Sequence, residues 1–265
     1  MPTASVAPTA IEIATYPRDR GRYRKIIIFF TANFVRYMWW EVVLRRVLGK
    51  EYVLRSREER LRRIAHRFRQ LAVELGGVMI KLGQFISTRI DILPESIIQE
   101  LQGLQDEVPS VPFEDIHTVI YQELGALESH LNMDTQPVAS ASFGQVYQAQ
   151  LNGEKVVVKV QRPGIRALVY TDLAALEVIA RRAVRFPFIA RRANLPELLA
   201  EFARVLWEEL DYIAEANNAV RFAKMFADDP GIDVPRIYFQ YSGRQVLVME
   251  DVSAIKINDY AALEA

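Results

Sequence analysis

The dipeptide Asn152-Gly153 lies between two runs that carry β-branched residues, "PVASASFGQVYQAQL" and "EKVVVKVQRPG". Both central positions of a tight two-residue hairpin need positive φ, which Asn and Gly accept at little cost, so this is the strongest short-range hairpin signal a sequence can carry. It forces an antiparallel pair into a chain that otherwise reads as helix. Residues 57–88 show 3.6-residue apolar spacing in Leu61, Ile64, Phe68, Leu71 and Leu75, and residues 22–125 as a whole read as helical. Gly76-Gly77 is expected to break that helix in two, and Pro94 suits the first turn of the next. Downstream, "IRALVYTDLAALEVIARRAVRF" reads as a helix and Leu195 to Ala227 as one long helix. "VPRIYFQY" and "RQVLVMEDV" read as two further strands around Ser242-Gly243.

With 265 residues, 51% hydrophobic and 25% charged, the chain can bury one large core or two small ones. It has no cysteine, which excludes disulfides, thiolate metal sites and a cysteine nucleophile. The three histidines show no metal-ligand spacing, and His66 reads as a solvated residue on an arginine-rich helix. The net charge of zero hides an asymmetry. Residues 16–70 hold 16 Lys/Arg against 5 Asp/Glu, a local charge of +11 balanced by −11 in the remainder. Such an arm is built to meet something anionic. Within it, "KIIIFFTANFVRYMWWEVVLRRVLG" is apolar and aromatic but interrupted by Arg36 and Glu41, so no uncharged run of about 18 residues is available to span a bilayer. Trp39 and Trp40 with flanking arginines fit a helix lying in a membrane interface; docking on the protein's own core is the alternative. No nucleic-acid partner is expected, because the aromatics sit among aliphatics.

The hairpin may be compared with a phosphate-binding loop of the G-x-G-x-x-G-x-V type followed by V-A-I-K. The equivalent register is Ala139-x-Ala141-x-x-Gly144-x-Val146, then Val156-Val157-Val158-Lys159. Two glycines are alanines, so the loop should be stiffer, and a plain hairpin followed by a lysine stays open as the simpler reading. A phosphate-gripping lysine needs a carboxylate on a neighbouring helix. "WEELDYIAEANNAVRF" supplies candidates. On one continuous helix Glu208, Asp211 and Glu215 would fall within about 60° of one another and Glu209 about 120° from Glu215. Lys81 and Gln84 share a face of an apolar helix, and a buried lysine requires a partner, for which Glu209 is available.

Taken together, "KLGQ" (81–84), "RIDILPESIIQELQGLQDEVP" (89–109), "PVASASFGQV" (137–146), "VVVKVQRPG" (156–164) and "ELDYIAEANNAVRF" (209–222) resemble the UbiB family of atypical protein-kinase-like proteins, also called AarF or ADCK. The resemblance spans roughly residues 22–260. It implies an α+β fold, in which a helical N-terminal extension packs on a protein-kinase-like N-lobe, an antiparallel sheet with helices. It implies that Lys159 is the nucleotide-phosphate lysine and Glu215 its helix partner. Ala139, Ser140, Ala141, Ser142, Phe143 and Gly144 would form the alanine-rich nucleotide loop, and Glu250 to Val252 the hinge that meets adenine. Lys81 and Gln84 would belong to the extension that covers the active site, with Glu209 and Asp211 as an E-x-D motif and Glu209 paired to Lys81. The implied cofactor is ATP or ADP, with Mg²⁺ in the whole family protein. The implied partners are a membrane surface or isoprenoid lipid, and the implied setting is ubiquinone biosynthesis, peripheral on the cytoplasmic side of a membrane.

The expected segments are a disordered stretch at 1–20, the basic aromatic helix at 21–56, the K-x-G-Q extension at 57–130, the N-lobe with inserted helices at 131–252, and a hinge with the start of a truncated C-lobe at 253–265. The family's catalytic-loop and metal-binding aspartates have no counterpart here, so no catalytic or metal residue is assigned. The C-lobe is expected to be absent from the chain, possible as a separate chain, and this half inactive alone. The alternative is a non-enzymatic nucleotide- or lipid-binding module attached to a membrane.

Overall fold

The computed structural model describes residues 18–88, 94–102, 104, 109–191 and 193–252. The expected disordered N-terminus up to residue 17, the tract 89–93 and the C-terminal segment 253–265 lie outside the described residues. The chain divides into two compact units.

The first unit is helical and takes in Met1–Pro109, Ala141–Phe143 and Gly164–Glu208. Its first helix, α1 (Arg20–Met38), is capped by Asp19, whose side chain accepts from the Arg22 N–H. It runs on through a π-helical turn (Trp39–Leu44) into α2 (Arg45–Leu48). Helices α3 (Lys50–Arg55), α4 (Arg57–Leu75), α5 (Val78–Ser87) and α6 (Glu95–Gln102) follow. Gly76 and Gly77, at φ +63° and +51°, make the expected break between α4 and α5. Pro94 stands just ahead of α6 rather than in its first turn, and its carbonyl accepts from the Ile97 and Ile98 N–H groups. Later in the chain come α8 (Ile165–Ala183), α9 (Pro187–Ala190) and α10 (Leu195–Glu209). α1 packs along α8, while α4, α5 and α6 pack on one another.

Arg20–Val47 forms a helix long and apolar enough, by length and composition, to cross a membrane. This departs from the expectation drawn from its interrupted sequence: two charges within a span are tolerated when the rest is apolar. Very little of it is buried, and Ile28, Val35, Trp39, Val42, Val43 and Val47 are exposed.

The second unit takes in Ser110–Ser140, Gly144–Pro163 and Glu209–Ala265. It holds α7 (Phe113–Leu124), α11 (Tyr212–Met225) and an antiparallel sheet of β1 (Leu131–Met133), β2 (Ala139–Ser140), β3 (Gly144–Leu151), β4 (Glu154–Gln161) and β5 (Val246–Glu250). The strand order is β1-β3-β4-β5, with β2 beside β1 on the same edge of β3. The β3–β4 hairpin turns at Asn152 and Gly153, at φ +53° and +88°, as the dipeptide requires. Alternation on β4 separates the two faces of the sheet. Val156, Val158 and Val160 are buried in one core with Ile116, Val119 and Ile120 of α7. Lys159 falls on the other face, in register with Leu247, where Tyr212 and Ala216 of α11 pack.

Two expectations are corrected here. Leu195 to Ala227 is not one helix, since it breaks at Leu210–Asp211 between α10 and α11. Asp211 leaves helical geometry (φ −103°, ψ +82°) and its carboxylate accepts from the Ala214 N–H at 2.9 Å. A mid-pattern aspartate thus acts as an N-cap, a competing role open to short acidic side chains. "VPRIYFQY" is not a strand either. Only Ile237 makes a bridge, to Met249, and Phe239–Tyr241 is a 3₁₀ turn.

Candidate functional site

Strand register and one helix cap set the geometry on the Lys159 face. β4 pairs with β3 and β5 along its whole central length, which holds the Lys159 backbone between Val146 and Leu247. The Asp211 cap fixes where α11 starts, and so places Tyr212, Glu215 and Ala216 on one face. The Lys159 ammonium stands 2.7 Å from both Glu215 carboxylate oxygens and 4.7 Å from the centre of the Tyr212 ring. Lys159 and Glu215 remain 29% and 41% exposed, so the pair is open to a ligand from solvent. At most two of the three ammonium N–H donors face the carboxylate. Burial pushes the Tyr212 phenol well above its ordinary pKa, and the negative charges of Glu215 and Glu209 push it further. Tyr212 therefore stays neutral, an uncharged wall beside the cation.

The pairing expected of Lys159 with Glu215 is present, but Glu215 does not share a helix with Glu208 and Asp211, because the helix breaks between them: Asp211 is a cap, Glu208 pairs with Arg204 at 2.7 Å, and Glu209 ends α10.

The loop residues have distinct surroundings. Ala139 and Ser140 form β2 and pair with Val146 and Gln145. Ser142 and Phe143 are buried. Gly144 opens β3, and a Cβ there would meet the Tyr212 hydroxyl at 2.6 Å and the Val160 carbonyl at 2.7 Å. Close backbone approach explains this glycine without any ligand. Gly144→Ala should therefore lower stability by about 1–3 kcal/mol, as overpacking of a tight core does; chemical denaturation of the purified variant checks it, and an unchanged midpoint would show that β3 and Tyr212 yield freely.

In the first unit, Lys81 on α5 has its ammonium 6.0 Å from the centre of the Phe143 ring. Gln84 donates its Nε2–H to the Leu104 carbonyl at 3.0 Å. Glu209 belongs to the second unit, and its pairing with Lys81 stands as a proposal. Glu250 closes β5. Its N–H is taken by the Arg236 carbonyl, and the Asp251 N–H by the Lys155 carbonyl, just before Val252.

Three residues that hold this region together escaped the reading of the sequence. Tyr212 sets its ring beside the Lys159 ammonium. Gln161, fully buried, donates to the Leu210 carbonyl at 2.8 Å and the Arg244 carbonyl at 3.0 Å, tying β4 to the helix break. Arg162 donates to the Ser140 hydroxyl at 2.8 Å and so braces β2. A glutamine two positions after the strand lysine, in an otherwise apolar run, was the one available signal for such a brace.

Residues 103–265 match the family model described as the ABC1 atypical kinase-like domain. A protein of Azotobacter vinelandii named "Probable protein kinase UbiB" is 40% identical over 228 residues, 85% of this chain and 42% of that protein. "Protein ACTIVITY OF BC1 COMPLEX KINASE 8, chloroplastic" of Arabidopsis thaliana is 41% identical over 196 residues, 72% of this chain and 26% of that protein. Among solved structures, Rv3197 of Mycobacterium tuberculosis, described in complex with erythromycin, is 29% identical with a TM-score of 0.47, over 71% of this chain and 48% of that one. The chain thus spans less than half the length of these relatives.

Proposed function

Because the chain belongs to the ABC1 atypical kinase-like family, the kinship its UbiB-like motifs implied, we propose that its sheet unit binds the phosphates of ATP or ADP. The observation that carries this reading is the Lys159–Glu215 ion pair, half-exposed on the sheet face opposite α7. Lys159 would meet phosphate oxygens with its remaining donor, and Glu215 would hold the ammonium in place. Ala139, Ser140 and Gly144 of the same unit would lie along the phosphates. With the Glu250 and Asp251 N–H groups engaged internally, adenine would be met at Glu250–Val252 by carbonyl groups and by the Val252 backbone.

In this reading the chain is the nucleotide-binding half of an atypical kinase or ATPase serving ubiquinone or a related isoprenoid-quinone pathway, the setting that the resemblance to the UbiB family implies. Phosphoryl transfer and its Mg²⁺ are proposed for the whole protein. A membrane role has its own support in the exposed apolar helix Arg20–Val47, which would bring the chain to a membrane surface from the cytoplasmic side. That helix also favours the second reading, a membrane-attached binding module without turnover.

Nucleotide addition tests the proposal. At a hundredfold excess over Kd, ATP should stabilise the folded chain by about 2.7 kcal/mol, seen as a rise of several degrees in Tm. No shift with ATP or ADP, with or without Mg²⁺, would remove the nucleotide reading and leave the membrane one standing.

A further inference from the structure

We propose that an arginine-lined cavity between α1 and α4 is a binding site for the phosphate group of an anionic membrane lipid. The cavity, of about 70 Å³, is walled by Arg36, Tyr37 and Trp40 from the first helix and by Arg60, Arg63 and Arg67 from α4. Both sets follow from helix periodicity. Residues 36 and 40 are one turn apart, and 60, 63 and 67 share one face. Trp40 lies at the π-helical turn Trp39–Leu44, the kind of local departure that recurs at functional sites.

The charge inside this cavity is built in and incompletely answered. The Arg60 side chain is only 8% exposed, with its guanidinium 4.7 Å from the centre of the Trp40 ring. Its Nη groups reach the Ser56 hydroxyl and the Val53 carbonyl, but its buried Nε has no hydrogen-bond partner. Two acids stand nearby. Glu41 lies 3.5 Å from Arg60 and 3.8 Å from Arg57, and Glu59 lies 3.8 Å from Arg63 and 3.2 Å from Arg62. Neither reaches Arg36 or Arg67, which have no acidic partner among the described residues. Arg36, Arg63 and Arg67 are exposed and partly screened by water, but like charges gathered around a small cavity still favour an anion that joins them. Their planar donor forks match the oxygens of a phosphate better than any point charge does.

The lipid source follows from the same helix. Arg36 stands beside Val35 and a turn from Trp39, both exposed, so a headgroup held at the cavity would have its acyl chains along an exposed apolar surface. This inference rests on the membrane part of the proposed function and is independent of the nucleotide part.

The test uses the full chain, flotation with phosphatidylglycerol or phosphatidylcholine vesicles, and two double variants of equal charge. Arg36→Gln with Arg67→Gln alters the cavity; Arg45→Gln with Arg46→Gln alters exposed arginines outside it. The cavity variant should keep the wild-type Tm and its binding to phosphatidylcholine, and lose about tenfold more phosphatidylglycerol affinity than the control variant, the scale of one charge-assisted hydrogen bond. Equal losses in the two variants would reduce the effect to diffuse charge and overturn the site. Equal wild-type binding to both vesicles would overturn it while leaving membrane association intact, and binding to neither would overturn both. If inorganic phosphate alone stabilised the wild type as well as phosphatidylglycerol does, the cavity would be a free-phosphate site and the lipid assignment would fall.

Discussion

Lys159→Ala is expected to weaken ATP binding by about ten- to a hundredfold, the range set by losing a charge-assisted hydrogen bond to phosphate. Glu215→Gln should weaken it less, because the ammonium stays but is held by one neutral acceptor in place of two charged oxygens at 2.7 Å. Combining Lys159→Ala with Glu215→Gln should be no worse than Lys159→Ala alone, since Glu215 acts through the lysine. Titration calorimetry on the three variants reads this directly. Folding should not confuse the result. The ion pair is 29% and 41% exposed, so its worth to stability is that of a surface pair, about 1 kcal/mol or less. Full ATP affinity in folded Lys159→Ala would mean that the pair is structural and that nucleotide, if bound, lies elsewhere.

The second large effect lies away from the nucleotide. Arg22 and Asp172 form a two-pronged ion pair at 2.6 Å, with the side chains 10% and 0% exposed. Arg22 also donates to the Leu75 carbonyl at 2.7 Å, at the end of α4 beside the Gly76-Gly77 break. One guanidinium thus joins α1, α8 and the α4 terminus. Asp172→Ala should destabilise the helical unit by about 3–5 kcal/mol, because it leaves a buried cation unpaired. Arg22→Met should also destabilise, with a sign in pH that Asp172→Ala lacks. Burial holds the Asp172 carboxyl above its ordinary pKa, while the Arg22 hydrogen bond and charge pull it back. Removing Arg22 lets it rise further. A carboxyl whose folded pKa is raised gives stability at low pH and loses it as pH climbs through the folded value. The Arg22→Met penalty should therefore be largest at neutral pH and shrink on acidification toward about pH 4, near the unfolded aspartate value. Thermal unfolding across that range checks it, and a pH-independent penalty would show that the carboxyl is not the group left behind.

Local features were legible in proportion to how local their physics is. Asn152-Gly153 and the Gly76-Gly77 break each depend on residues a few positions apart, and each was readable from the chain. That Lys159 needs a helix carboxylate was readable from its chemistry, which left Glu208, Asp211 and Glu215 as candidates; the choice of Glu215 came from the resemblance to the UbiB family, and the helical phase that grouped the three is not the one present. What failed was continuity. Leu195 to Ala227 keeps a helical period across Leu210–Asp211, and nothing local shows that Asp211 will cap a new helix rather than continue the old one. "VPRIYFQY" carries strand-forming residues, yet only Ile237 finds a partner.

By itself, then, the sequence determined the hairpin, the helix break at Gly76-Gly77, the charged and aromatic arm, and the residue types able to grip a phosphate, because backbone preference and side-chain chemistry are local properties. Only the tertiary structure decided that Asp172 would be buried against Arg22, that Gly144 would press on Tyr212 and Val160, and that four arginines of two helices would share one cavity. Each of these depends on the close approach of segments 16 to 150 residues apart, set by packing, and a packing distance is written in no single stretch of chain.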